Sequence, residues 1–151
     1  PLKPFVYQHF HDYVAGLLTQ PEIEAAMDRT CDEFSQAKQY PPPSHVKNPF
    51  EAQFLRDFYY DKSSNALFLD RPRDEGRYAF ALCVDFFSVE GKSLHNARAD
   101  LGMIVMACLN IPPEIRYKPE NLYLVGIIPG PEEPALERLN HYMRPLISDL
   151  V

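Results

Sequence analysis

Long apolar runs are what this sequence most plainly lacks. No stretch approaches the roughly 20 residues a membrane-spanning helix needs, and no basic-then-apolar leader opens the chain. The chain starts at Pro1 rather than methionine, which suggests a processed protein or an excerpt of a longer one. Cysteine is scarce too. Cys31, Cys83 and Cys108 form no C-x-x-C pair, so neither a zinc finger nor a disulfide framework is expected. They read as reduced, small, buried side chains of an intracellular protein. Positive charge is the third shortage: 15 Lys and Arg face 21 Asp and Glu, for a net charge of −6. The one basic cluster, Arg71, Arg73 and Arg77, is broken by Asp74 and Glu75. Phosphate neutralisation supplies most non-specific DNA affinity, so the chain by itself should bind DNA poorly.

What is present fits a soluble α/β chain, with 46% apolar and 24% charged residues over 151 positions. Helical spacing predicts one helix through Phe10, Tyr13, Val14, Leu17 and Leu18, and a second through Ile23, Ala26, Met27, Thr30, Cys31 and Phe34. Thr19-Gln20-Pro21-Glu22 between them has the form of a capping box. A proline-rich linker spans 40–49, and Asn48-Pro49-Phe50-Glu51 repeats the cap pattern before a short helix carrying Phe54, Leu55 and Phe58. Ala66–Asp70 reads as a short strand. Three apolar runs follow, Tyr78–Phe87, Leu101–Leu109 and Leu122–Ile128, none alternating cleanly with polar residues. Such strands belong in the middle of a sheet covered by helices. A last helix is expected from Ala135 to Leu150, kinked or interrupted at Pro145. The natural division is a helical region 1–60 and a compact region 66–151, with the boundary near 61–65.

Asp85 is the candidate site residue. It follows Tyr78-Ala79-Phe80-Ala81-Leu82-Cys83-Val84 and precedes Phe86-Phe87. An ionised carboxylate is almost never buried without a partner or a metal, because desolvation costs several kcal/mol or more. At the end of a buried strand it would stand where open α/β sheets place ligands, and its oxygens suit Mg²⁺ or Mn²⁺. The bland alternative is an aspartate just clear of the core, capping a turn. Other constellations fail on spacing. Glu90-Gly91-Lys92-Ser93 resembles the end of a P-loop, but Phe86 occupies the position of the required glycine. His9 and His11 would point apart on a helix. His45, His95 and His141 have no triad pattern around them. Most aromatics fall on expected core positions, which disfavours base stacking.

The wording of the strands carries further information. Phe80-Ala81-Leu82-Cys83-Val84-Asp85-Phe86-Phe87 resembles the opening of the catalytic region of CACTA (En/Spm-like) and Kyakuja–Dileera–Zisupton DNA transposases of the fungal type. So does Met106-Ala107-Cys108-Leu109-Asn110-Ile111-Pro112-Pro113-Glu114-Ile115-Arg116-Tyr117-Lys118-Pro119-Glu120-Asn121-Leu122-Tyr123. It continues through Leu124-Val125-Gly126-Ile127-Ile128-Pro129-Gly130-Pro131-Glu132-Glu133-Pro134. The resemblance spans about Leu67 to Val151 and is looser before that.

The resemblance implies a partial RNase H-like core, a three-stranded antiparallel start plus a following helix, preceded by the mostly helical N-terminal region. It implies a DDE-type site in which three carboxylates hold divalent metals, Mg²⁺ or Mn²⁺, for phosphodiester cleavage and strand transfer. Asp85 would be the first catalytic acid and metal ligand. The two later acids would lie beyond Val151, so this piece alone should be inactive. Transposon-end DNA would be bound through the full-length protein, in the nucleus and away from membranes. Many relatives have glycine after this aspartate, where Phe86 stands here. Three alternatives remain: a domesticated, non-catalytic interaction module, a fragment of another RNase H-like nuclease, and a structural domain with no site at all.

Overall fold

Two helices open the chain where the spacing predicts them, α1 at Phe10–Leu18 and α2 at Pro21–Ala37. The computed structural model describes residues 4–72, 74–88, 100–130 and 133–151. The expected Thr19–Glu22 capping box does not start α2. Its N-cap is Gln20, which makes no side-chain cap hydrogen bond. Pro21 explains the shift: proline favours the first helical position, and that fixes the cap one residue before it. The Gln20 carbonyl then accepts the Ile23 and Glu24 amides, each at 3.0 Å. The second predicted cap does form. The Asn48 side chain accepts the Phe50 amide at 3.3 Å while the Glu51 carboxylate accepts the Asn48 amide at 3.2 Å. A 3₁₀ turn, Pro49–Glu51, and α3, Gln53–Arg56, follow it.

The strands are β1 (Val6–Tyr7), β2 (Tyr59–Asp61), β3 (Ala66–Leu67), β4 (Phe80–Ser88), β5 (Asp100–Cys108) and β6 (Leu122–Ile128). Between β5 and β6 lies a short helix, α4 (Pro113–Arg116), and α5 (Leu136–Leu150) ends the chain. α5 runs through Pro145 without interruption. The fold is mixed α/β with an antiparallel four-stranded sheet in the order β1-β6-β5-β4. β2 and β3 form a separate antiparallel hairpin.

The chain parts into two compact units, each made of non-consecutive pieces. One comprises Pro1–Leu17, Ala81–Ala107 and Leu122–Val151; the other comprises Leu18–Phe80 and Cys108–Asn121. Residues 61–65, where the sequence places a boundary, form the turn of the β2–β3 hairpin. There the Asp61 carboxylate accepts from the Ser63 and Ser64 amides and the Ser63 hydroxyl. The hydroxyls of Ser64 and Ser63 and those amides pull its pKa down to about 2. Asn65 closes the turn at φ 58°, a left-handed conformation that asparagine tolerates better than most residues.

In the first unit the core gathers on β5, β6 and the helices. Ile104, Tyr123, Val125, Ile128 and Leu146 are almost wholly buried. Tyr13 of α1 stacks on Tyr123 with ring centroids 4.7 Å apart, and the Tyr123 hydroxyl donates to the Gln8 carbonyl. β1 joins β6 with Tyr7 opposite Gly126. A side chain at Gly126 would run into the Phe5 ring and the Val6 carbonyl, so this close approach requires glycine. Of the apolar positions predicted to bury α5, only Leu146 is fully covered, while Leu136, Ile147 and Leu150 are exposed.

In the second unit Phe50, Leu55 and Leu69 form a core joined by Phe34, Phe68, Ala79 and Leu109. Phe34 stacks on Phe50 at 5.0 Å. Because α3 has only four residues, Phe54 and Phe58 do not share its buried face with Leu55. Both lie in the open, at 67% and 54% exposure.

Candidate functional site

β4 is strongly apolar in composition, yet it is an edge strand. β5 and β6 occupy the middle of the sheet, and β4 borders only β5 among the described residues. This corrects the expectation that all three apolar runs are covered on both faces. Val84 and Phe86 are half-buried on one face, while Ala81, Cys83, Asp85 and Phe87 are exposed on the other. Composition alone cannot separate an edge strand from a central one when neither alternates with polar residues.

Asp85 therefore stands in solvent, the sixth of nine residues in β4 and not its last. Its Oδ1 accepts the amide hydrogen of the neighbouring Phe86 at 2.9 Å. The desolvation argument that singled it out does not apply, since a solvated carboxylate needs no partner. Among the described residues no group of three or more His, Cys, Asp or Glu is placed to hold a metal ion. One exposed carboxylate is a poor ligand set for Mg²⁺, which needs near-octahedral oxygen coordination. The residues described do not by themselves fit a divalent-metal site.

The cysteines divide differently from the expectation of three buried thiols. Cys31 and Cys108 are buried and Cys83 is exposed on β4. Burial raises the pKa of Cys31, and burial pushes that of Cys108 up to about 11. Both thiols are thus held protonated and unreactive near neutral pH.

The basic cluster is structural. Arg77 is buried, donating from Nε to Glu75 at 2.7 Å and from Nη1 to the Leu67 carbonyl at 2.9 Å. Its guanidinium lies 3.8 Å from the centre of the Tyr60 ring. Arg71 is paired with Asp32 at 2.7 Å. Neither is presented to a phosphate backbone, and Arg73 lies outside the described residues. So do Glu90–Ser93 and His95. His9 precedes α1 and approaches Asp149 Oδ2 at 3.3 Å.

Sequence reasoning missed the roles of several residues in the 106–123 wording. Asn110, at 1% exposure, uses both ends of its amide. Its Oδ1 accepts the Ala79 amide at 2.8 Å, and its Nδ2 donates to Cys31 Sγ at 3.1 Å and the Arg77 carbonyl at 3.2 Å. Buried Arg116 donates to the carbonyls of Ile111 and Leu109, at 2.9 and 2.6 Å. Asn121 donates to the Ile115 carbonyl at 2.9 Å. This part of the wording is spelled by the connection between β5 and β6, which satisfies its own carbonyls with buried side chains. The signal available in sequence was a short proline-punctuated connection between two apolar strands that carries Asn110, Arg116 and Asn121 among other polar residues.

No family model, curated protein or solved structure matches the chain.

Proposed function

We propose that the chain is part of the catalytic region of a DDE-type DNA transposase, contributing one acidic residue, Asp85, and no activity of its own. One observation carries this reading. The strand bearing Asp85 and the two strands bearing the 106–134 wording are neighbours in the order β4-β5-β6, with α5 following. That order is compatible with the start the resemblance implies, three antiparallel strands and then a helix, with β1 as an additional strand beside β6. The position of β4 adds support, because a sheet continued by further strands needs an open edge. The acidic net charge is compatible, since DNA would be held by other parts of the full-length protein and metal would be shared among carboxylates not described here.

That no other metal-ligating group joins Asp85 among the described residues favours a second reading, a domesticated interaction module in which the aspartate is a remnant. One experiment separates the two. In the full-length protein, Asp85→Ala should abolish Mg²⁺- or Mn²⁺-dependent cleavage of transposon-end DNA while leaving its thermal midpoint unchanged. Undiminished cleavage in that variant would eliminate the first reading. Absence of any cleavage in the wild-type full-length protein would favour the second.

A further inference from the structure

The second unit holds a small cavity of about 10 Å³ with Thr30, Cys31, Arg71, Arg77 and Asn110 in its wall beside apolar and aromatic side chains. Its size matches a single water, which needs roughly 10–15 Å³ of accessible volume and 2–4 polar partners. Several of the polar groups are already bonded. Thr30 Oγ1 donates to the Ala26 carbonyl at 2.9 Å, so it has lone pairs but no hydrogen left to offer. The Asn110 Nδ2 hydrogens point to Cys31 Sγ and the Arg77 carbonyl.

Arg71 is the exception. Its side chain is 8% exposed. Nη1 donates to the Glu75 carbonyl, and Nη2 to Asp32 Oδ1 at 2.7 Å. Nε is buried and has no hydrogen-bond partner among the described residues. A buried charged donor left unsatisfied carries the full desolvation cost of that group. The cavity that Arg71 lines, with the Thr30 hydroxyl oxygen as an acceptor in its wall, offers the means to satisfy it.

We propose that this cavity is a specific site for one buried water, which accepts the Arg71 Nε hydrogen and donates to Thr30 Oγ1. The water would join Arg71, on the segment after β3, to the middle of α2.

The test is a crystal structure of the chain at about 1.3 Å resolution, together with water-to-Arg71 Hε cross-relaxation by NMR. The expected result is one ordered peak within hydrogen-bond distance of both Nε and Thr30 Oγ1, and a cross-peak of the sign that marks a long-lived water. A cavity without density, an Nε bonded directly to a protein acceptor, or a bromide anomalous peak in its place would each overturn the proposal. Thr30→Val keeps the side-chain shape and removes the acceptor, so both the density and the cross-peak should be lost. Their persistence in that variant would refute the assignment of Thr30.

Discussion

Asn110 anchors the start of the β5–β6 connection with one part-buried acceptor bond and two buried donor bonds. Replacing it with alanine removes the side-chain acceptor of the Ala79 amide and leaves the Arg77 carbonyl with the Cys31 thiol as its remaining donor. Asn110→Ala should therefore lower stability by about 3 kcal/mol, at the upper end of single-residue effects, read as a lower urea midpoint. Asp149 makes a contrasting case at the surface. Its Oδ2 accepts the Tyr7 hydroxyl at 2.6 Å and the Phe10 amide at 3.0 Å. Those bonds, Tyr7's first, hold the carboxyl below its usual range, while burial and then Asp149 push the Tyr7 hydroxyl up. The carboxylate's contribution is complete above an unfolded-state pKa of about 3.9 and is lost as pH falls through the lower folded value. The tyrosine's is complete below about 10 and is lost as pH rises through the higher folded value. The stability gap between wild type and Asp149→Ala should thus be flat from about pH 5 to 9 and narrow on either side. A gap independent of pH in urea titrations would contradict the assignment. Neither residue was legible as important in the sequence, because the partners of each lie tens of residues away or more.

Among elements, the helices and strands with strong periodicity or long apolar runs were readable to within a few residues, as α1, β5 and β6 illustrate. What escaped was pairing. β1 is two residues long, too short to leave a pattern, and exists because Gln8, Tyr7 and Phe5 find partners on β6 and α5. The Gln8 amide reaches the Val125 carbonyl at 2.9 Å, and the Phe5 ring meets Tyr142 edge-on at 5.2 Å. Since only glycine fits at position 126, Gly126→Val should dislodge β1 and leave the β5–β6 pair intact. Hydrogen exchange would then show lost protection at the Gln8 amide, with that of Met106 and Tyr123 retained. For β4 the run of apolar residues was read correctly as a strand and wrongly as a central one. Strand order is decided by which edges meet, and that information is distributed over the whole chain. The candidate site inherited this error: Asp85 was found by its setting, and its setting was the part that differed.

At the scale of the molecule, the two units interleave. The 1–17 segment completes a unit otherwise drawn from 81–107 and 122–151, and 108–121 completes one drawn from 18–80. A cut at residues 61–65 passes through the second unit and removes β1 and α1 from the first. A fragment of residues 66–151 should therefore lack the cooperative thermal transition and chemical-shift dispersion expected of the 151-residue chain. A folded fragment would mean that the C-terminal region is self-sufficient after all. The edge position of β4 also bears on handling the protein. Nine residues with a single charge, and with Leu82 and Phe87 exposed at 47% and 43%, lack the lysines and prolines that usually keep a bare strand from recruiting another. In a test tube such a strand is a nucleus for aggregation. The chain's shelf life at high concentration would be set by that one ribbon of backbone, whatever the stability of its core.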